Sequence, residues 1–154
     1  LSMDVLDAEM KIVFESDLKR NFRLPLIDVS EEEAKIPQIE YETKIEIKAA
    51  SLKEMLKDAA LFGSSVVVRV KDKGFFIEAR GSQGTMDSES GKMAKVNGKD
   101  DVTAKFSLNF FQNIVKEANN DKDITIELRS DSPMKVSFSI GESNIVFYLA
   151  HMIL

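Results

Sequence analysis

The side chains that most often carry catalysis or bind metals are scarce in this sequence. Cysteine is absent, which excludes disulfides, thiolate metal sites and a cysteine nucleophile. His151 is the only histidine, so no histidine pair exists. It stands three residues from the C-terminus, beyond the last predicted strand, where an ordinary surface histidine is a better interpretation than a catalytic group or ligand.

Phosphate-binding and acidic motifs are equally unconvincing. No GxxxxGK[ST] loop occurs, and GSQG (residues 81–84) falls between two predicted strands, where glycines serve a turn. The acidic groups Asp100–Asp101 and Glu31–Glu33 could hold a divalent cation loosely, but neither has EF-hand spacing, so solvated loops are the better interpretation. The sequence therefore predicts no catalytic residue, no metal and no cofactor.

Two predicted helices carry lysines and amides on the face opposite their apolar residues. The net charge is −5, so any contact with nucleic acid must use a local basic face. The alternative is an ordinary solvated surface, which these residues alone favour. The side chains concerned are Lys53 and Lys57 on the first helix and Asn109, Gln112, Asn113 and Lys116 on the second.

Composition places the chain among globular proteins. Of 154 residues, 44% are hydrophobic and 31% charged, enough apolar content for a core. No apolar run reaches the roughly 20 residues of a membrane span. The N-terminus LSMDVLDAEMK lacks the order of a signal peptide. We expect an intracellular protein without a membrane partner.

The pattern of elements repeats once. A strand at 43–48 leads into a helix that begins at Ser51, where SLKE reads as a capping box, and Gly63 is placed to end it. Val102–Phe106 leads into a second helix over SLNFFQNIVKEA. The first helix precedes three strands, at 66–70, 74–79 and 85–89. The second precedes three more, at 124–129, 134–140 and 144–149. Residues 90–101 read as a mobile loop, so residues 41–149 predict an α+β domain of two β-α-β-β-β units, with helices on one face of antiparallel sheets.

The segment LPLIDVSEEEAKIPQIEY, residues 24–41, has no period of 2 or 3.6. Structureless connections of this length are usually linkers or binding segments. Before it, residues 10–15 and 19–24 read as strands without a helix, from which we expect that Leu1 is not the natural start. IPQIEY, SDSPM (130–134) and LAHMIL (149–154) could line an apolar groove, or the tail could pack on itself.

Taken together, these segments resemble the archaeal and eukaryotic PCNA-type sliding clamp family. The similarity rests on the connecting segment, SLKEMLKDAAL, LNFF, SDSPM and FYLA, which follow the family's order and spacing over essentially the whole chain. By this resemblance, residues 1–24 are the last strands of an N-terminal clamp domain, 25–40 the interdomain connecting loop and 41–154 the C-terminal domain. Most of the N-terminal domain would be absent.

The resemblance implies a non-catalytic processivity factor for DNA polymerase. Such clamps are trimeric rings around duplex DNA, contacted through phosphates alone. Lys53, Lys57, Lys116 and Asn113 would then face DNA. Partners would be other clamp subunits and PIP-box proteins such as DNA polymerase, flap endonuclease, DNA ligase and the clamp loader. The location would be cytoplasmic and nucleoid-associated in an archaeon and nuclear in a eukaryote.

The resemblance also assigns two protein-binding surfaces. The PIP-box groove would comprise Ile36, Tyr41, Asp131, Pro133, Tyr148, Leu149 and Ala150, with main-chain pairing along the C-terminal tail. Subunits would pair through two edge strands, one holding Lys19, Arg20, Asn21, Phe22 and Arg23 and the other Thr85, Met86, Asp87, Ser88 and Glu89. The tail HMIL departs from the proline and acidic residues usual in the family.

Two other interpretations remain open. A clamp-like scaffold that does not act on DNA would favour neutral residues at positions 53, 57 and 116, which are lysines here. A metal-dependent β-rich enzyme would use the Asp100–Asp101 loop and would carry stoichiometric metal.

Overall fold

The computed structural model describes residues 1–27 and 36–154, which fall into two compact units, Leu1–Ile36 and Pro37–Leu154. Residues 28–35 lie outside the described residues, and with them most of the expected connecting loop, including Glu31–Glu33. Within the described residues, no helix is long and apolar enough to cross a membrane.

The first unit is an antiparallel sheet of three strands in the order β1-β2-β3, hereafter the N-terminal sheet. Its strands are β1 (Ser2–Val5), β2 (Glu9–Glu15) and β3 (Lys19–Pro25). Ile12 lies opposite Phe22, and Phe14 packs edge-to-face on Phe22 with ring centroids 5.8 Å apart. The predicted strands at 10–15 and 19–24 are confirmed, whereas β1 was not foreseen.

The second unit contains two five-stranded antiparallel sheets and two helices. Sheet I has the order β12-β11-β10-β4-β8 and sheet II the order β13-β9-β5-β6-β7. The elements are β4 (Thr43–Lys48), α1 (Ala49–Ala59), β5 (Ser65–Lys71), β6 (Gly74–Gly81), β7 (Gly84–Glu89), β8 (Ala94–Gly98), β9 (Val102–Ser107), α2 (Leu108–Val115), β10 (Asp123–Leu128), β11 (Met134–Ile140), β12 (Ser143–Leu149) and β13 (His151–Met152).

Both sheets and both helices share one apolar core. Strand residues of alternating burial, such as Ile45 and Ile126 in sheet I and Val68 and Ile77 in sheet II, are fully buried, as is Phe111 of α2. The two helices contact each other, and each packs on strands of both sheets. The expected α+β arrangement with helices on the apolar faces of antiparallel sheets is therefore confirmed.

The segment 90–101 is not the mobile loop that the sequence predicted. A 3-10 turn at Gly91–Met93 leads into β8, which pairs with β4 through Ile45 and Val96. Only two apolar residues in this stretch face the core, Ala94 and Val96, so the alternation was too short to be recognised.

The predicted capping box is also wrong. Helix α1 begins at Ala49, Ser51 lies inside its first turn, and no side chain caps it. The first free N–H groups are satisfied by backbone instead: Ala49 donates to the Lys122 carbonyl and Ala50 to that of Asn120. The helix ends at Ala59, and Gly63 lies in the turn that follows.

The close approach of the β6–β7 turn to the turn after α1 generates a stability prediction. A Cβ at Gly81 would collide with the carbonyl oxygen of Phe62, which is backbone and cannot move aside. Gly81→Ala should therefore lower the free energy of unfolding by roughly 2–3 kcal/mol in urea denaturation followed by circular dichroism.

Gly91→Ala is the matched control. Its φ is +52°, but its Cβ would have nothing within 4 Å, so only the left-handed backbone costs free energy, about 1 kcal/mol. Equal losses in the two variants would contradict the close approach at Gly81.

Candidate docking and DNA-facing surfaces

Four of the residues expected in a peptide groove gather at one end of sheet I, namely Pro133, Tyr148, Leu149 and Ala150. Tyr148 and Leu149 end β12, and Pro133 immediately precedes β11. Met134 pairs with Leu149, which makes Pro133 and Ala150 the next residues beyond this pair. Ile36 belongs to the first unit, where it is 70% exposed.

Strand β12 is an edge of sheet I, so one side of its backbone is unpaired within the described residues. Val146 and Tyr148 share its outer face and are 45% and 36% exposed. Leu149 points to the opposite face and is buried at 7%. Its side chain therefore belongs to the core, and it can offer a peptide only its backbone.

The turn between β10 and β11 is tied to sheet II. The Thr103 N–H donates to the Ser130 hydroxyl oxygen at 3.1 Å, and the Asp131 N–H donates to the Thr103 carbonyl at 3.3 Å. Asp131 is exposed and has a φ of +49°, a conformation that aspartate tolerates better than most residues. The turn is thus held in place by a strand of the other sheet.

The C-terminal segment switches from one sheet to the other at Ala150. Strand β12 ends in sheet I, and β13 pairs with β9 of sheet II, His151 opposite Phe106 and Met152 opposite Lys105. Since β13 is the edge of sheet II, its outer side is unpaired in the described part of the chain. His151 is therefore an exposed residue of strand β13 and not part of an unpaired C-terminal tail.

A row of polar side chains crosses the outer face of sheet I. Lys135 lies opposite both Tyr148 and Glu127 on the neighbouring strands. The Lys135 ammonium and the Glu127 carboxylate are 2.6 Å apart and only about a quarter exposed. The hydrogen bond from Lys135 to Glu127 raises the pKa of Lys135, opposed by desolvation. Sequence reasoning missed this pair, since its only signal is charged residues at alternate strand positions.

Tyr41 completes the row. Its hydroxyl oxygen is buried without a hydrogen-bond partner among the described residues. Burial raises the pKa of Tyr41 to about 12, with smaller contributions from Tyr148 and Glu127. The hydroxyl therefore remains protonated at neutral pH.

The expected DNA-facing lysines differ in their surroundings. The Lys53 ammonium donates to the Ala118 carbonyl at 2.6 Å and to Asn120 Oδ1 at 2.8 Å. It therefore ties α1 to the residues after α2. The side chains of Lys57 and Lys116 are exposed and make no hydrogen bond or ion pair among the described residues. Asn113 is exposed too, with its amide 3.4 Å from Asn109 Oδ1.

An open cleft lies between the two helices. Gln112, which the sequence placed on the exposed face, donates from Nε2 to the Leu56 carbonyl at 3.1 Å. The cleft has a volume of about 240 Å³ and is lined by Lys53, Leu56, Gln112, Val115 and Lys116. Two lysines thus flank an apolar floor. Phe110, 61% exposed on α2, was not singled out by the sequence.

Both strands expected at a subunit interface are sheet edges. Strand β3 borders the N-terminal sheet and β7 borders sheet II. Their charges are opposite, with Lys19, Arg20 and Arg23 on β3 and Asp87 and Glu89 on β7.

The described residues contain no cluster of three His, Asp or Glu side chains that could hold a metal. Asp100 instead accepts the Lys73 N–H at 3.0 Å and lies 3.5 Å from the Lys73 ammonium. Its carboxylate therefore joins the loop between β8 and β9 to the turn between β5 and β6 that contains Lys73.

The different surroundings of Lys53 and Lys57 predict different effects on stability. Lys53→Ala removes two hydrogen bonds from a partly buried ammonium and should lower the free energy of unfolding by about 1 kcal/mol. Lys57→Ala, the same change one turn further along α1, should stay within about 0.5 kcal/mol of the original chain. Urea titrations of both variants measure the difference, and indistinguishable midpoints would show that the Lys53 bonds contribute nothing.

Comparison with known proteins shows to which family this chain is similar. The profile of the family described as proliferating cell nuclear antigen, C-terminal domain, matches residues 35–153. A DNA polymerase sliding clamp of Methanococcus maripaludis is 29% identical over 97% of this chain and 63% of its own length. One from Thermofilum pendens is 25% identical over 97% of this chain and 62% of its own length.

Solved structures of proliferating cell nuclear antigens (PCNAs) have the same fold as this chain. The chain superposes with a TM-score of 0.79 on PCNA from Thermococcus kodakaraensis, at 17% identity, covering 97% of this chain and 64% of that one. A. fulgidus PCNA, whose structure has the C-terminal region of FEN-1 bound, gives a TM-score of 0.79 at 25% identity, covering 99% and 63%. The chain therefore spans less than two thirds of the relatives it matches. With the family profile covering most of its residues, this chain belongs to the proliferating cell nuclear antigen family of sliding clamps, through that family's C-terminal domain.

Proposed function

We propose that this chain is the part of a sliding clamp that docks replication and repair proteins through short peptides. The observation that carries the proposal is the unpaired edge strand β12, with Tyr148 and Val146 exposed on its outer face. A. fulgidus PCNA, which shares the fold, has the C-terminal region of FEN-1 bound. Here Tyr41, Tyr148, Pro133 and the backbone of Leu149 and Ala150 would bind the peptide, together with Asp131.

The edges of the two sheets suit an extended ligand. Strand β12 ends where β13 begins, so unpaired backbone continues from one sheet to the next through Ala150. A peptide lying along this border would add main-chain hydrogen bonds to side-chain anchoring, as in strand addition. Its class would be that of PIP-box segments, as in polymerases, flap endonucleases, ligases and clamp loaders.

The second part of the proposal is contact with duplex DNA through the helices. Lys57 and Lys116 are the free cations of this surface among the described residues, and Asn113 lies near them on α2. Lys53 would contribute its charge from a fixed position because its ammonium is already hydrogen-bonded. Contacts of this kind are made to phosphates and are independent of sequence, which permits sliding.

Assembly would bring β3 of one subunit beside β7 of the next. The residues concerned are 19–23 and 85–89, whose opposite charges favour such a contact. Head-to-tail pairing of this kind closes a ring when its rotation permits, a trimer in this family. The chain would act as a scaffold in the cell, without chemistry of its own; a clamp-like scaffold indifferent to DNA is the competing function.

Truncating the proposed aromatic anchor tests the docking function. Tyr148→Ala should weaken binding of a fluorescent PIP-box peptide by about 1–3 kcal/mol in an anisotropy titration, since a partly exposed aromatic ring at an edge would become buried on binding. Glu142→Ala, in the turn at the other end of β12, is the control and should leave affinity unchanged. Equal affinity of all three chains would remove Tyr148 from the site.

Removing two helix lysines tests the DNA surface. In a full-length ring carrying this segment, Lys57→Ala with Lys116→Ala should lower DNA affinity and flatten the slope of log K against log salt by roughly 2, about 0.9 for each phosphate that is no longer neutralised. Lys71→Ala with Lys92→Ala makes the same change in net charge away from both helices. If both double variants bind DNA alike, the helices do not face DNA. That result would favour the competing function, a clamp-like scaffold that does not act on DNA.

A further inference from the structure

The Tyr41 hydroxyl is a buried polar group that makes no hydrogen bond within residues 1–27 and 36–154. Its oxygen has almost no solvent contact, and no acceptor or donor among the described residues reaches it. Such a group destabilises the fold that contains it, because it has lost its hydrogen bond to water without forming one within the protein. A buried donor of this kind in a proposed binding surface requires an explanation.

Two neighbouring groups influence the Tyr41 hydroxyl but do not hydrogen-bond to it. One is Glu127, whose carboxylate is 2.6 Å from the Lys135 ammonium in the row across sheet I. The other is Tyr148, a residue of the edge strand β12 that is 36% exposed. The Tyr41 hydroxyl thus lies near the exposed edge at which the peptide is proposed to dock, with its own hydrogen-bonding capacity unused among the described residues.

We infer that the Tyr41 hydroxyl donates a hydrogen bond to a carbonyl oxygen of the peptide that docks beside β12, once the side chains that bury this hydroxyl move aside. The inference rests on the proposed docking function and adds a chemical requirement to it. The occupant must place a backbone or side-chain carbonyl within reach of Tyr41, in addition to burying apolar anchors. An acceptor is required because the Tyr41 hydroxyl carries its proton at neutral pH and can donate it.

This arrangement gives the free and bound states opposite responses to one substitution. Tyr41→Phe keeps the ring and deletes only the hydroxyl. In the free chain the deletion removes an unsatisfied group, so the melting temperature should rise by about 4 °C. In the complex it removes a hydrogen bond, so a fluorescent PIP-box peptide should bind about fivefold to tenfold more weakly.

The experiment combines thermal unfolding with anisotropy titration for the original chain, Tyr41→Phe and Tyr148→Phe. Tyr148→Phe is the matched control, because its hydroxyl belongs to a partly exposed residue and its loss should leave the melting temperature unchanged. A more stable Tyr41→Phe chain with weaker peptide binding would support the inference, since a merely structural role would not move these two quantities in opposite directions.

Two results would overturn it, and they are distinguishable. If the original chain binds the peptide and Tyr41→Phe binds equally well, the hydroxyl does not meet the peptide, while the docking function stands. If the original chain, folded by circular dichroism, binds no peptide, the docking function fails and the inference with it.

Discussion

The structure depends on one apolar core shared between two sheets. Strands from both sheets point alternate residues into it, and α1 and α2 cover those residues while touching each other. Neither sheet buries its apolar face without the helices, because β-strand alternation leaves one apolar side on each sheet. The outer faces are therefore free to vary. The polar row of Glu127 and Lys135 and the exposed lysines of the helices lie outside this core and can serve binding without disturbing it.

Hydrogen bonds between segments distant in the sequence hold the sheet borders at which the proposed docking occurs. The β10–β11 turn is held by Thr103 of β9, and β13 carries the chain from sheet I onto the same strand. At the β4–β8 edge of sheet I, the Thr43 hydroxyl donates to the Lys99 carbonyl at 2.5 Å, and the Lys99 ammonium lies 3.0 Å from Glu42. These contacts join segments that are distant in the sequence, so the residues of the second unit that we propose to bind a peptide are positioned by that whole unit and not by their own loops.

The strongly alternating strands were predictable from sequence, because a strand such as Ile124–Arg129 shows its buried face directly in its residue order. Strand β8 was not, since only Ala94 and Val96 of its five residues are apolar and its strand character becomes evident only from its pairing with β4. The start of α1 was misplaced because its first N–H groups are satisfied by the distant carbonyls of Asn120 and Lys122, which no local motif reveals. The resemblance placed Tyr41 and Tyr148 in one groove. Two findings depend on atomic packing that residue types do not encode: the Tyr41 hydroxyl has no hydrogen-bond partner among the described residues, and the Lys53 ammonium is already hydrogen-bonded.

The two complementary edge strands have a consequence for handling the protein. Strand β3 presents cations and β7 presents anions, and each leaves an unpaired row of backbone groups in the described part of the chain. Because both edges occur in one polypeptide, self-association through them that does not close into a ring extends as a filament. Salt would screen the charge attraction between such edges but would leave their backbone hydrogen bonds intact. Concentrated preparations at low ionic strength are accordingly the condition in which head-to-tail polymers of this chain would form first.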